Sequence, residues 1–288
     1  MIDIRVDTHT HTVLSGGHYG RIEENALQAS AMGIEALIST ERYTPMFANV
    51  ARIHANLREP PRQSLVYGVR VLPGAELEIA DPQGHLAGYH LPVSGSQNRH
   101  LLRLLEETDP FLIATVNPQG SLRQLTRAQR TKMYHQVLLH PKVTALGHCP
   151  WQPFDLPEIV SAAAGTGTLL ELSESALHDP NTDLDRCRRF IDACGTYGAM
   201  ICVGSNARSV FHVGKFPKAV SLLEEMQFPR ELVANPSLRH LQRAVQGKRQ
   251  KFQSLPPSKT APHPGAALTE SPQLTPGRPP WRLRNYEL

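Results

Sequence analysis

The segment "IDIRVDTHTH" covers residues 2–11 and carries the first strand pattern and the first chemical motif of the chain. Residues 2–7 alternate apolar and polar side chains, as a β-strand with one face in the core does. His9 and His11 follow at the end of this predicted strand. Because side chains two positions apart on a strand point to the same side, both imidazoles can bind one cation. For an isolated pair, two surface or capping histidines are the alternative interpretation.

The remainder of the folded part alternates predicted helices and strands. Six further apolar stretches have the length and composition of buried strands: 34–40, 69–80, 111–116, 143–148, 168–173 and 199–205. Helical patterns separate them, at 22–33 with Gly33 at the end, 96–107, 121–138, 155–164, 183–197, 217–226 and from Ser237 onward. Near-continuous apolar strands joined by helices are typical of a parallel α/β sheet covered by helices. About seven such units favour a barrel over an open sheet.

The chain changes in composition near residue 245. Residues 246–288 contain seven Lys/Arg and two Asp/Glu, so the net charge of +4 belongs to this end of the chain. Eight prolines fall within 254–288, and such a segment buries too little apolar surface to order itself. We therefore predict a folded domain at 1–245 and a Pro-rich, basic, disordered tail at 246–288. Because the folded part lacks basic excess, a nucleic-acid partner is not expected.

The tail and the termini predict little else about function. Trp281 and Tyr286 beside two arginines are compatible with a docking motif for a protein partner, although an unselected flexible end is the favoured interpretation. No apolar run is long enough to span a membrane, and the amino terminus lacks a secretory signal. We expect a cytoplasmic protein whose four cysteines, without CxxC spacing, are reduced thiols.

Side chains able to bind a metal or a phosphate recur at or near the ends of the predicted strands. They are Glu41, Arg42, Glu76, His85, Asn117, His148, Glu171, Asn206 and Arg208, in addition to His9 and His11. The carboxyl ends of parallel barrel strands converge on one face, where barrel enzymes place their active sites. A glutamate and further histidines at this face favour metal binding over two isolated surface histidines.

The same motifs, in this order, resemble the PHP superfamily, named for its polymerase and histidinol phosphatase members. The matching segments are "DTHTHTVLSGGHYG", "ALISTER", "VLPGAELEIADPQGHLAGY", "ALGHCP" and "VGSNAR", within residues 3–245. The small phosphatase branch is the most similar in length and in its opening motif. The resemblance implies a distorted (β/α)7 TIM-like barrel. It also implies a metal-dependent phosphoesterase with two or three ions, commonly zinc, manganese or iron, at the barrel mouth.

Position by position, the resemblance implies metal ligands in this chain. They are His9, His11, Glu76 (bridging two ions), His85, His148 and Asn206. His85 resembles a ligand of other branches, whereas the small phosphatase branch places a histidine where Asn117 stands. His18 matches the third histidine of the first loop.

Three positions depart from the family pattern. Arg42 and Arg208 stand where the family has ligating histidines, and Asn206 stands where it has an aspartate. Because an arginine side chain stays protonated and cannot ligate a cation, we expect the third metal to be absent and one or two divalent ions to remain. The arginines can instead bind phosphate oxygens, with His18 protonating the leaving group. Alternatively they are decayed positions that face solvent or pair with acids such as Glu41 and Glu171. Glu171 itself is a candidate either for supporting a metal ligand or for a structural role, and the structural role is favoured.

Two functions follow from this site. The first is a PHP-type phosphatase with a reduced metal set that acts on a small phosphorylated metabolite. The second is a catalytically inactive PHP pseudoenzyme that serves as a ligand-binding or regulatory module. A polymerase-associated role is disfavoured because the chain has no polymerase segment.

Overall fold

A computed structural model of the chain describes residues 2–44, 65–89, 105, 107–117, 120–149 and 153–254. The strands in these ranges are β1 (Val6–Thr10), β2 (Ala36–Tyr43), β3 (Leu65–Val66), β4 (Val69–Glu78), β5 (Phe111–Thr115), β6 (Val143–Leu146), β7 (Leu169–Ser173) and β8 (Ile201–Gly204). Seven of them are parallel neighbours in the order β1-β2-β4-β5-β6-β7-β8, and β3 pairs antiparallel with β4. Each predicted strand is present, and β2 and β4 continue to the residues that were predicted to carry chemistry.

The sheet curves until its first and last strands are adjacent. The backbone amide of Asn206, just after β8, donates to the carbonyl of His9 on β1 at 2.8 Å. Between the two strands, the buried Asn235 side chain donates to the carbonyls of Val6 at 2.6 Å and Val203 at 2.8 Å. Asn235 therefore supplies, from a side chain, bonds that a neighbouring strand would make. The predicted α/β TIM-like barrel is confirmed as a nearly closed parallel barrel.

Helices cover the outside of this barrel. They are α1 (Ile22–Ala31), α2 (Arg127–Leu138), α3 (Leu156–Thr166), α4 (Glu174–Leu177), α5 (Leu184–Tyr197), α6 (Pro217–Glu225) and α7 (Leu238–Ser254). Side chains of Thr126, Asp155 and Asp183 accept backbone N–H groups at the starts of α2, α3 and α5, which favours a helix at those points. The predicted helix at 96–107 lies almost wholly outside the described residues. None of the described helices combines the length and apolar composition that crossing a bilayer requires.

The apolar core has two layers, one inside the barrel and one between the sheet and the helices. The inner layer is made by buried side chains of successive strands and of α7, including Val6, Ala36, Ile38, Ile113, Ala145, Leu169, Cys202 and Leu241. The outer layer joins the opposite faces of the strands to the helices. All four cysteines are free and buried. The inner layer closes the amino-terminal side of the barrel and leaves the carboxyl ends for polar groups.

The last helix is longer than the sequence predicted. α7 runs through the predicted boundary at 245–246 and ends at Ser254. Lys248, which composition alone assigned to the tail, is 3% exposed, and its ammonium group contacts the Thr168 hydroxyl at 2.6 Å. The helix and this buried contact therefore continue past the boundary that the sequence predicted at 245–246. The rest of the predicted tail, 255–288, lies outside the described residues.

Replacing Lys248 with methionine should raise the free energy of unfolding. Burial lowers the pKa of Lys248 to about 7, whereas an unfolded lysine has a pKa of about 10.4. Between these values the unfolded chain binds more protons than the folded chain, so wild-type stability should fall as the pH is lowered from about 10 to about 7. Urea unfolding of Lys248→Met across this range should show a smaller pH dependence than wild type. Lys251→Met, an exposed change on the same helix, is the control, and an unchanged slope for Lys248→Met would contradict the prediction.

Candidate functional site

Three predicted ligands meet where β1 and β4 end. The Nε2 atoms of His9 and His11 are 3.0 Å apart, and Glu76 Oε2 lies 3.7 Å from the first and 3.4 Å from the second. Two ligand atoms about 2.1 Å from one ion are about 3.0 Å apart at a right angle and about 3.4 Å apart at a tetrahedral angle. The spacing therefore suits three ligands of one divalent cation. All three side chains are buried.

His11 has the chemistry of a neutral ligand. Burial, together with the neighbouring His9, lowers the pKa of His11 well below its ordinary value. Its Nδ1 atom is buried without a hydrogen-bond partner among the described residues. A neutral imidazole keeps a lone pair on one nitrogen, and cation binding through that lone pair offsets part of the cost of burying this ring.

Glu171 holds the other side of His9. Its Oε1 atom lies 2.5 Å from His9 Nδ1, and its Oε2 atom accepts the backbone N–H of His148 at 3.0 Å. Although burial alone lowers it, the carboxylates of Glu171 and Glu76 raise the pKa of His9 to about 10. With its Nδ1–H donated to Glu171, His9 directs Nε2 towards His11 and Glu76. Glu171 is thus placed to orient a candidate metal ligand, which is the alternative that the sequence analysis left open beside the favoured structural role.

Glu76 is shared between the histidines and a permanent cation. Arg42 Nε donates to Glu76 Oε2 at 2.8 Å, and the Thr115 hydroxyl donates to Oε1 at 2.8 Å. The parallel register pairs Arg42 on β2 with Glu76 on β4, which brings the two side chains together. Burial alone would raise the pKa of Glu76, but hydrogen bonding to His9 and the charge of Arg42 hold it well below its ordinary value. The predicted partners of Arg42 were Glu41 or Glu171, and the structure pairs it with Glu76.

His18 adds a third imidazole to this cluster. Its ring centroid is 4.3 Å from that of His11, and its Nδ1–H donates to the carbonyl of Gly16 at 2.8 Å. Burial lowers the pKa of His18 to about 4, and Arg42 acts in the same direction. A ring that is neutral near pH 7 can accept a proton or contact a ligand, which favours these roles over proton donation to a leaving group.

His148 and Asn206 line the far side of His9. The Asn206 side-chain amide is 3.3 Å from His148 Nε2, and the His148 ring centroid is 5.9 Å from that of His9. Both residues have a positive backbone φ, 56° for His148 and 44° for Asn206, which residues other than glycine rarely adopt. Their backbone amides bind Glu171 and the carbonyl of His9, which holds this geometry. His9, His148 and Glu171 form a second group whose ligand atoms lie within 4.8 Å of one another.

Three residues singled out in the sequence, His85, Arg208 and Asn117, remain to be placed, and they belong to neither group. His85 Nδ1 is 2.6 Å from Asp81 Oδ2, and His85 belongs to neither candidate group of the described ranges. Arg208 and Asn117 are exposed. The sequence did contain one signal for the position of Glu171, because this glutamate interrupts an otherwise apolar buried strand.

Comparison with known proteins gives consistent relatives. None of the protein-family models compared with the chain matches it. A protein named "Probable phosphatase" from Acetivibrio thermocellus is 32% identical over 250 residues, which are 86% of this chain and 97% of that protein. A probable phosphatase from Clostridium acetobutylicum is 29% identical over 235 residues, which are 80% of this chain and 89% of that protein.

Two solved structures share the fold. The first is a histidinol phosphate phosphatase from Lactococcus lactis, solved with zinc, L-histidinol and phosphate. Its TM-score is 0.52 at 16% identity, over 78% of this chain and 94% of that one. A chain of archaeal ribonuclease P, solved with mature tRNA, has a TM-score of 0.50 at 10% identity over 93% of this chain and 100% of that one. At these identities the two structures support the barrel architecture alone.

Replacing Glu171 with glutamine should weaken binding of Zn²⁺ or Mn²⁺ about 10- to 100-fold, because the neutral amide no longer favours the Nδ1–H form of His9. A competition titration against a chromophoric chelator measures this affinity. Glu174→Gln is the matched control, since Glu174 is also buried but binds His178 and the start of α6. Equal metal affinity in Glu171→Gln and wild type would contradict the orienting role.

Proposed function

Because the chain belongs to the family of these bacterial probable phosphatases, we propose that it is a metal-dependent phosphoesterase acting on a small phosphorylated metabolite. The observation that carries the proposal is the buried group of His9, His11 and Glu76, whose ligand atoms lie within 4.8 Å of one another. Its position at the carboxyl ends of barrel strands agrees with where such barrels place active sites. The resemblance to PHP phosphatases noted in the sequence agrees with both.

We infer that the site holds one tightly bound metal ion instead of the two or three that the family resemblance implies. Two nitrogen ligands and one carboxylate suit zinc, manganese or iron. A second ion would need Glu76, His148 and His85, and within the described residues these three side chains do not form a group whose ligand atoms lie within 4.8 Å of one another. Arg42 already contacts the Glu76 oxygen that faces the two histidines. These contacts support one divalent ion and the loss of the third site.

The chain's own residues have separable tasks in this proposal. A divalent cation at the His9–His11–Glu76 group would supply a Lewis acid for the phosphoryl group and lower the pKa of water. Arg42, whose side chain is about one-third exposed, can bind phosphate oxygens on its open face while its Nε stays on Glu76. Glu171 keeps the His9 ring oriented. Arg208, exposed beside the loop of His18, is available to bind substrate.

The pseudoenzyme alternative gains no support from the comparisons, and one experiment decides between the two. We expect protein purified without chelator to contain about one equivalent of metal and to hydrolyse p-nitrophenyl phosphate with added Mn²⁺ or Zn²⁺. His11→Ala, purified in parallel to exclude a contaminating phosphatase, should lose the metal and more than about 99% of the activity. Metal-free wild-type protein without turnover would contradict the phosphoesterase and favour the regulatory module.

Replacing Arg42 with methionine should change two measurements in opposite directions. Loss of a charge-assisted bond to phosphate should lower kcat/KM for p-nitrophenyl phosphate about 10- to 100-fold. Removal of a cation from Glu76 should raise the affinity for Mn²⁺, because the carboxylate charge is then fully available. Arg127→Met, which breaks an exposed ion pair with Asp155, is the control and should change neither value. A simultaneous loss of metal affinity and activity would contradict this role for Arg42.

A cytoplasmic location and a protein partner for the tail remain predictions from sequence composition. Residues 255–288, which would carry the partner motif, lie outside the described ranges.

A further inference from the structure

A buried carboxylate next to Arg42 has no task in the proposed function. Glu41, on β2, is 0% exposed. Side chains of neighbouring strand residues point to opposite faces, so Glu41 points away from the face on which Arg42 contacts Glu76. A carboxylate in this position loses its contacts with water, and hydrogen bonds must compensate for that loss. Its hydrogen-bond partners therefore show which segments it holds together.

Two serine hydroxyls donate to Glu41, one to each carboxylate oxygen. Ser39 donates to Oε1 at 3.1 Å and belongs to β2 itself. Ser15 donates to Oε2 and belongs to the short 3-10 turn Val13–Ser15, in the loop that follows β1. The Ser39 bond thus stays within one strand, whereas the Ser15 bond attaches the loop to β2.

The Ser15 hydroxyl makes a second bond to β2. Its oxygen accepts the backbone N–H of Arg42 at 3.0 Å. A serine hydroxyl has one hydrogen to donate, and donating it to Glu41 leaves a lone pair for the Arg42 amide. The far end of the loop is held elsewhere, since the Tyr19 amide donates to the carbonyl of Arg208 at 2.9 Å. Glu41 and Ser15 therefore fix the near end of the loop to the backbone of a residue proposed to bind phosphate.

The near end of this loop leads directly to His18. Gly16 and Gly17 stand between Ser15 and His18, with φ of 67° and 68°, a conformation that residues with a side chain rarely adopt. The Nδ1–H of His18 donates to the Gly16 carbonyl at 2.8 Å, so the orientation of the ring depends on the position of this turn. The His18 ring is therefore placed by the same turn that Ser15 attaches to β2.

His18 and Arg42 border the candidate metal group together. The ring centroids of His18 and His11 are 4.3 Å apart. His11 Nε2 and Arg42 Nε lie 3.4 Å and 2.8 Å from the same atom, Oε2 of Glu76. A phosphoryl group bound at the metal group would have the imidazole and the guanidinium as neighbours. The spacing between these two groups depends on how the loop is attached to β2.

We propose that Glu41 and Ser15 are positioning residues of the phosphoesterase site: Glu41 orients the Ser15 hydroxyl, which holds the His18 turn against the backbone of Arg42. His18 and Arg42 then meet the phosphoryl group in a geometry that exists before the substrate binds, which lowers the entropy lost on binding. The inference rests on the proposed phosphoesterase function and adds to it two residues that act through Arg42 and His18.

Ser15→Ala removes the bond between loop and strand, and Ser39→Ala is the matched control, because it removes a hydroxyl from the same carboxylate within β2. In the metal-loaded, full-length protein, Ser15→Ala should lower kcat/KM for p-nitrophenyl phosphate about 10-fold and weaken the binding of inorganic phosphate, measured by calorimetry, about 3- to 10-fold. Ser39→Ala should change both values less than about 2-fold, and neither variant should change the affinity for Mn²⁺ by more than about 2-fold.

Two changes at Glu41 separate its hydrogen bond from its charge. Glu41→Gln keeps an oxygen for the Ser15 hydroxyl and offers an N–H to Ser39, so it should retain at least about half of the wild-type kcat/KM. Glu41→Leu should behave like Ser15→Ala. A loss in Glu41→Gln as large as that in Glu41→Leu would overturn the orienting role of the carboxylate.

The double variant Ser15→Ala/Glu41→Leu separates positioning from stability. Replacing both partners with apolar side chains removes the buried carboxylate that Ser15→Ala leaves without its hydroxyl, so urea unfolding should show the double variant to be more stable than Ser15→Ala. Its kcat/KM should nevertheless stay as low as that of Ser15→Ala, because the loop is still detached from β2. Recovery of kcat/KM together with stability would show a merely structural role.

Equal effects of Ser15→Ala and Ser39→Ala on kcat/KM and on phosphate binding would also overturn the inference. The proposed function fails in a different way, with wild-type protein that binds metal and phosphate but hydrolyses no phosphate ester. In that case the phosphate affinities of the two serine variants still decide whether Ser15 positions the site.

Discussion

His9 is held between two buried carboxylates, and the site depends on this arrangement. Glu171 contacts its Nδ1 atom, and Glu76 faces its Nε2 atom. Burying ionised carboxylates is costly unless partners compensate each charge. Here the compensation comes from His9 itself, from Arg42 and Thr115 on Glu76, and from the backbone amide of His148 on Glu171. The barrel must therefore bring β1, β4 and β7, which are not neighbours in the sheet, to their final positions before these charges compensate one another.

Two glycines make room for Glu171. A Cβ at Gly204 on β8 would lie 2.9 Å from Glu171 Oε1 and 2.5 Å from the Cβ of His9. A Cβ at Gly147, after β6, would lie 3.1 Å from Glu171 Oε2. The carboxylate thus occupies space that the neighbouring strands leave by lacking side chains. Packing and electrostatics are coupled at this point, since a larger residue at either glycine would displace the group that orients His9.

Much of the fold could be predicted from the sequence because its signals are local. Apolar runs identified each strand of the parallel barrel, and Gly33, with φ of 72°, ends α1 as predicted. The roles of Glu171 and His85 could not be predicted in this way. In a strand buried on both faces, periodicity does not show which side chain points into the barrel. The pairing of His85 with Asp81 depends on the turn after β4, which no spacing rule specifies.

The length of α7 escaped the sequence for a related reason. Lys248 and its basic neighbours were assigned to a solvated tail, because a prediction from composition assumes that each lysine is exposed. In the fold, the aliphatic part of Lys248 lies between α7 and the end of α3, with Phe252 one turn further along and its ring centroid 4.9 Å from the ammonium group. Composition could not show that Lys248 is buried, because that burial depends on the packing of α7 against the rest of the fold.

The net charge of the buried side chains bears on how many ions the proposed metal site can hold. Without metal, the carboxylates of Glu76 and Glu171 are balanced by Arg42 and by His9, whose pKa of about 10 keeps it protonated near neutral pH. Cation binding requires the neutral form of His9, so one dication replaces one proton and leaves a single net positive charge, enough to attract a phosphate ester. With a second dication, the two ions, Arg42 and the two carboxylates would have a net charge of about +3, which a buried site does not compensate. Because Arg42 is permanently charged, its contact with Glu76 agrees with the single ion proposed for this site.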